Sequence, residues 1–276
     1  MYHDWNDSQV YMIDLSVPNP VPVQVSTVAS TNNTAPSISG DLVVWTRESL
    51  TELFPGSGFF IAHRDLYAND LSDSGNGEFL ILETTGDPSG LQSSVHGDNV
   101  AYIVSDSTIG GPNNSRLMLQ DINNPGTPAV QIDSSYALGN AKINDDWIVY
   151  QRSVGPSLWQ VYVADPSNPT TSAHPLLVSP LDQHSSDLSG SIAFIRTFQY
   201  TNFTAILGFD LSDPSADPFT VVGNGYVHTD FIKLSGNTFV YSQNGDIYLN
   251  HIVPEPTSAV VLLAGMCVMG RGRRTC

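Results

Sequence analysis

The first 252 residues contain no cysteine, because Cys267 and Cys276 both stand near the C-terminus. The body of the chain therefore has no disulfide and no thiolate metal ligand, and its stability has to come from packing. Charge is scarce as well: Asp, Glu, Lys and Arg make up 13% of the residues. The polar surface must then be drawn from Ser, Thr, Asn, Asp and Gly, a composition suited to turn-rich β structure. Basic residues are the scarcest, 10 Lys+Arg against 27 Asp+Glu. Three of them (Arg271, Arg273, Arg274) lie in the last six residues, which leaves the body with 7 bases against 26 acids. Such a field repels nucleic-acid phosphates and anionic lipid, leaves cations and basic partners open, and keeps a domain soluble. Absent too are a G-x-S-x-G elbow, an H-E-x-x-H helix, a P-loop, a G-x-G-x-x-G turn and the S-x-D-x-G box of sialidase propellers.

What the chain has instead is a repeat. A strand that follows a Gly, Asn or Asp turn and closes on an aromatic residue recurs as SGDLVVW (Ser39 to Trp45), HGDNVAY (His96 to Tyr102), NDDWIVY (Asn144 to Tyr150), SGSIAF (Ser189 to Phe194) and SGNTFVY (Ser235 to Tyr241). A second strand, apolar at alternate positions and stopped by Asp14, Asp70, Asp121, Asp165, Asp210 or Asn250, shares that period. Leading strands (PSIS, SSV, AKI, SSDL, FIKL) and later apolar stretches (VPVQVSTV, EFLILETT, AVQIDSS, HPLLVSP, PFTVVG) bring the repeat to four strands. Short strands punctuated by Gly and Pro, without a 3.6-residue period, predict an all-β fold. Four-stranded units of about 40 to 50 residues are the signature of propeller blades.

The blade pattern of small residue, Gly/Asp, apolar pair and aromatic, followed by an I-Y-x-x-D-L-like strand, resembles the TolB-type six-bladed propeller repeat across residues 1–252. The resemblance implies a β-propeller of about six four-stranded blades and is silent about chemistry. The first blade lacks its leading strands. This predicts either a ring closed by residues 231–252 or, the favoured reading, an N-terminal truncation that removed a signal peptide.

Residues 253–276 read VPEPTSAVVLLAGMCVMGRGRRTC. The block Val253, Pro254, Glu255, Pro256, then an uncharged apolar run, then Arg271, Arg273 and Arg274, is similar to the PEP-CTERM sorting signal. That resemblance implies an exosortase-type processing enzyme as a partner. Pro254 and Pro256 forbid continuation of a strand. The fourteen residues from Thr257 to Gly270 would make a helix about 21 Å long against a bilayer core of about 30 Å, which suits transient inner-membrane retention. The arginines would stay in the cytoplasm and the propeller outside.

Candidate site residues are few. His184 and His228 precede leading strands, as do Gln92 and Asn140, and with Asp187 and Asp230 the two histidines could hold a ligand or a metal at one rim. The repeated Asp stops read as turn openers. Asp70, Asp73, Asn76 and Glu78 have the oxygen-rich look of a calcium loop without its spacing, so calcium is an option only. Trp5, Phe59, Phe60, Trp159, Tyr200 and Phe203 could form aromatic platforms for sugars. The expectation is a non-enzymatic exported cell-surface or matrix protein that binds a polysaccharide or protein. The alternative is a secreted propeller hydrolase or lyase acting on extracellular polysaccharide, and a weaker one is a periplasmic scaffold.

Overall fold

The computed structural model describes residues 8–28, 31–52, 54–58, 60–73, 77–84, 90–106, 114–124, 126–155, 157–169, 171–199, 202–213, 215–222, 232–243 and 246–252. Every regular element among them is a β-strand, and the strands form six sheets in chain order. The first pairs β1 (Tyr11–Met12) with β2 (Val23–Gln24). The second runs β3 (Asn32–Ser39), β4 (Leu42–Glu52), β5 (Phe60–Asp70), β6 (Glu78–Leu82), and the third β7 (Gly90–His96), β8 (Asn99–Asp106), β9 (Asn114–Asp121), β10 (Val130–Ser135). The fourth is β11 (Leu138–Ile143), β12 (Ile148–Gly155), β13 (Leu158–Ala164), β14 (His174–Pro175). The fifth is β15 (Asp182–Ser189), β16 (Ile192–Gln199), β17 (Asn202–Asp210), β18 (Phe219–Val222), and the sixth β19 (Ile232–Ser235), β20 (Thr238–Gln243), β21 (Asp246–His251). The expected four-strand repeat is thus complete in four sheets.

The chain divides into two compact units, Met1–Ser153 with Tyr162–Leu176 and Val154–Val161 with Leu177–Cys276. In the first, the second and third sheets each use their two faces on two neighbours. Val43 and Trp45 pack on Val10 and Val25 of the preceding sheet, while Val44, Leu66 and Ala68 pack on Leu91, Val95 and Tyr102 of the following one. Ala101, Ile103 and Leu117 then meet Leu138, Ile148 and Tyr150. In the second unit Phe194 and Ile206 meet Leu234, Phe239 and Tyr241. Alternation along each strand makes both faces apolar, and each buried aliphatic or aromatic side chain contributes about 1.5–3 kcal/mol.

The turn between first and second strands needs a left-handed first residue, supplied by Gly40, Gly97, Gly190 and Gly236 at φ 52 to 56°. The NDDW copy has no glycine and builds a longer turn, in which Asn144 Oδ1 accepts from the amides of Asp146 (3.0 Å) and Trp147 (2.8 Å). Side chains also join consecutive first strands. The Ser39 and Ser37 hydroxyls accept from Gly97 and Val95 amides, and Ser189 and Asp187 accept from Gly236 and Leu234.

One expected equivalence is corrected. Trp45, Tyr102, Tyr150 and Tyr241 all face the preceding sheet, but Phe194 does not share their position. SGSIAF is one residue shorter than the other copies, and Phe194 pairs with Gly208 where Val44 pairs with Ala68. A one-residue slip moves a side chain to the other face, so Phe194 packs edge-on against Phe239 at 5.2 Å. Gly208 leaves room for this face: a Cβ there would lie 2.2 Å from the Phe219 ring.

Candidate functional site

The recurring aspartates open turns. Asp14, Asp70, Asp165 and Asp210 each accept from both the amide and the hydroxyl of the serine two residues on, Ser16, Ser72, Ser167 and Ser212. Asp121 accepts from the Asn123 amide at 2.9 Å. The serine hydroxyl and amide hold the Asp14, Asp70 and Asp165 carboxyls below the usual aspartate range. At Asp210 burial pushes the other way, and the Ser212 and Ser191 hydrogen bonds prevail to lower it. These carboxylates are engaged in local geometry rather than converging on a shared point.

His184 lies inside β15, with Asp187, rather than ahead of it, as Gln92 and Asn140 lie inside β7 and β11. His184 Nε2 meets Asp182 Oδ2 at 3.0 Å and its ring abuts Phe198 at 4.9 Å. Asp182 accepts in turn from the Trp159 amide at 2.7 Å. Asp187 instead faces β19, with Leu234 N at 2.8 Å and Lys233 Nζ at 3.9 Å. The register shift between Ser185 and Asp187 sets the two residues opposite Arg196 and Phe194, on one face of β16, yet their side chains engage different partners, Asp182 and Leu234. Gln92 and Asn140 do meet: Gln92 Oε1 accepts from the Asn140 amide at 2.7 Å. Asn140, at φ 50°, and Ala35, at φ 51°, form bulges at the same place in β11 and β3.

Of the calcium-like loop, Asp70 caps its turn and Glu78 is an ion-pair partner; Asn76 lies outside the described residues. So do His228, Asp230, Trp5, Phe59, Tyr200 and all of the sorting block, Val253, Pro254, Glu255, Pro256, Arg271, Arg273 and Arg274. The side chains of Phe60 and Phe203 fall outside them too.

Sequence reasoning missed two polar nodes, one buried and one half-open. In the first, Arg47 Nη2 meets Glu78 Oε2 at 2.5 Å with both side chains 7% exposed. The Arg47 guanidinium lies 3.9 Å over the Tyr67 ring. Asn33 Oδ1 accepts from both Trp45 Nε1 (2.9 Å) and Arg47 Nε (3.2 Å), and the other Glu78 oxygen accepts from the Thr27 amide. In the second, Asp133 accepts from the Tyr150 hydroxyl at 2.9 Å and from Arg152 Nη1 at 3.1 and 3.2 Å. Burial and the adjacent Asp133 carboxylate push the Tyr150 phenol far above its ordinary 10.0. The only signal in the sequence is an arginine two residues past the aromatic, at Arg47 and Arg152; Arg196 follows Phe194 at the same interval but, through the one-residue slip, holds the position of Thr46.

A third feature projects from the second sheet. Strands β4 and β5 are each 11 residues long, and they remain paired out to Glu52 opposite Phe60. Glu52 closes the tip by accepting from the Gly58 amide at 2.8 Å, and backbone amides of Gly58, Gly56 and Ser57 hold its carboxyl below the usual range. Ser57 N donates to Phe54 O at 2.9 Å. Phe54 stands 67% exposed at this tip.

No family model matches the chain, and no curated protein matches it. Solved structures do. A puromycin-hydrolyzing peptidase of Mycobacterium tuberculosis is 10% identical at a TM-score of 0.62, covering 89% of this chain and 42% of its own. A structure of prolyl endopeptidases is 18% identical at 0.58, covering 94% and 39%. TolB from Acinetobacter baumannii is 14% identical at 0.50, covering 83% and 56%. The chain spans about two-fifths of those peptidases and just over half of TolB. At these identities the likeness shows a propeller-type all-β fold and nothing of activity.

Proposed function

We propose that this chain is an exported propeller that performs no chemistry of its own and presents loops to a polysaccharide or protein partner at the cell surface or in the extracellular matrix. In this reading the 253–276 tail retains it transiently at the membrane until an exosortase-type enzyme processes it. The observation that carries the binding reading is the β4–β5 hairpin. Its paired strands hold a short, glycine-containing tip on a rigid support, and that tip offers Phe54 to solvent. Loops held by a rigid scaffold are where such folds place recognition, and an exposed ring on one is a natural anchor for a sugar face or a side chain. The recurring acids support the same reading, because each serves a turn or a strand contact.

The test is a screen of the purified chain against polysaccharides from the producing cell's own matrix. Saturable binding to one of them, weakened at least tenfold in Phe54→Ala with unchanged thermal stability, is the expected result. Depolymerisation of any of them by the wild-type chain would overturn the non-catalytic reading in favour of a secreted hydrolase or lyase. Mass spectrometry of the protein from its producer checks the tail: a mature chain lacking the residues beyond the Val253–Pro256 block is expected, and an intact Cys276 would sink the sorting reading.

A further inference from the structure

The fourth strands of this fold are consistently blunted. In β6, β10 and β18 one residue, Ile81, Ile132 and Val221, is left over in the register with the third strand. The three bulges share one repeat position, beside Leu66, Leu117 and Ile206, each four residues before the strand's closing Asp70, Asp121 or Asp210. The remaining fourth strand, β14, is only His174–Pro175, and its proline has no amide to offer. Bulges, short strands and proline are devices that keep an open sheet edge from pairing with another chain.

The β4–β5 hairpin carries none of them. Its strands pair through eleven consecutive positions without a shift of register, while β3 stops opposite Glu48 and β6 stops opposite Leu66. Ser49–Glu52 and Phe60–His63 therefore form a two-stranded arm with no strand beside it among the described residues. The ladder fixes which groups the arm presents. Leu71 N donates to Asp41 O directly opposite, and bonded and unbonded pairs alternate along antiparallel strands. Ser49 and Thr51 thus bond to β5, and the amides and carbonyls of Leu50 and Glu52 point outward. Two neighbours agree with this phase: Asn33 N, opposite Arg47, bonds away from β4 to Ser8 O, and Arg64, opposite Glu48, turns its amide and carbonyl to the Thr84 hydroxyl. Among the described residues no side chain caps Leu50 or Glu52 in that way.

We infer that the outer edge of β4 in this arm takes an extended, basic segment of a partner polypeptide as an added strand. A row of outward amides and carbonyls is matched by another main chain, which supplies both groups in alternation. Charge selects the kind of segment. The Glu52 carboxylate stands on this edge, and the chain's formal charge of −17 attracts Lys and Arg and repels both acidic segments and a second copy of itself. Leu50 shares a face with Glu52 and is exposed, so an apolar residue two places from the basic one completes the match. The inference rests on the reading of this hairpin as the recognition element and names the class of its partner, and the main-chain edge can be broken separately from the Phe54 ring.

The experiment is isothermal titration of the full chain with a short synthetic peptide alternating Val and Lys. Saturable binding that weakens with added salt is expected, and the Val–Glu counterpart and the Val–Lys peptide N-methylated at every amide should each bind about tenfold more weakly or worse. Leu50→Pro deletes an outward amide without touching a β4–β5 hydrogen bond, so it should lower affinity about tenfold with wild-type circular dichroism. Leu50→Ala keeps that amide and should lose much less, and Phe54→Ala should leave peptide affinity unchanged. No binding of the Val–Lys peptide, or equal binding of its N-methylated form, would overturn the inference. So would a loss in Phe54→Ala without one in Leu50→Pro, which would leave the ring as the anchor, or self-association of the wild-type chain abolished by Leu50→Pro, which would make a second copy the occupant. A failure of the Phe54 reading shows instead in the polysaccharide screen, which Leu50→Pro should not alter.

Discussion

Arg47 and Arg152 stand two residues past the aromatics of the second and fourth sheets, each over a tyrosine ring, yet their settings differ. Arg47 is sealed in: its acid, Glu78, comes from the fourth strand of the same sheet, and both side chains are almost fully buried. Arg152 is half-open, one third exposed, and its acid, Asp133, comes from the fourth strand of the preceding sheet. There the aromatic residue itself takes part, since Tyr150 donates its hydroxyl to the same carboxylate. The difference teaches that one repeat position can either stiffen a sheet or fasten two, depending on which strand supplies the acid. It also sets how much each contact matters, because a lone charge in a sealed site cannot recover water.

The sharpest way to break the comparison is at the sealed node. Glu78→Ala leaves the Arg47 guanidinium buried without its acid and should cost about 3–5 kcal/mol in urea denaturation. Arg47→Met/Glu78→Leu removes both charges and should recover most of that loss, and a double variant as unstable as the single one would refute the sealed-charge account. At the half-open node Tyr150→Phe should cost about 1.5–3 kcal/mol, the price of one hydrogen bond to a charged acceptor. It should also alter the alkaline limb of the stability curve. The Tyr150 phenol is raised above its ordinary 10.0, so its contribution is complete below pH 10 and is lost as pH climbs beyond it, a loss that Phe cannot show. Arg152→Met, with its partial exposure, should cost about 1 kcal/mol or less and become smaller still in high salt. Smallest is the acid limb. Asp14, Asp70 and Asp165 are lowered from 3.8, so their contribution is present above that pH and fades as pH falls below it. Asp70→Asn should flatten this limb slightly in an acid titration followed by circular dichroism.

Much of the fold was legible because strand alternation and turn chemistry are local. Ser39-Gly40-Asp41 and its glycine-bearing copies specify a two-residue hairpin, and Asp-x-Ser closes on itself within three residues. The nodes were not legible, because Glu78 reaches Arg47 only through strand pairing within the second sheet, and Asp133 reaches Arg152 only through the packing of one sheet on the next. Nor was the separation of His184 from Asp187, because Asp187 is held by the Leu234 amide of a strand 47 residues further along the chain. The exposed Phe54 belongs to a hairpin whose added length is written plainly in the wider spacing between the first two repeats, yet only the continued pairing shows that the insertion is strand rather than loop.

The one-residue deficit in SGSIAF has a consequence for modularity. Because Phe194 fills the forward face and depends on Gly208 leaving room beside Phe219, the fifth sheet is matched to its successor by shape and not only by pattern. Units cut at the serine-glycine turns and shuffled would still spell the same motif. A transplanted fifth unit would present a phenylalanine where its new neighbour was shaped for valine or alanine, so in this chain the order of the repeats is itself part of what the sequence encodes.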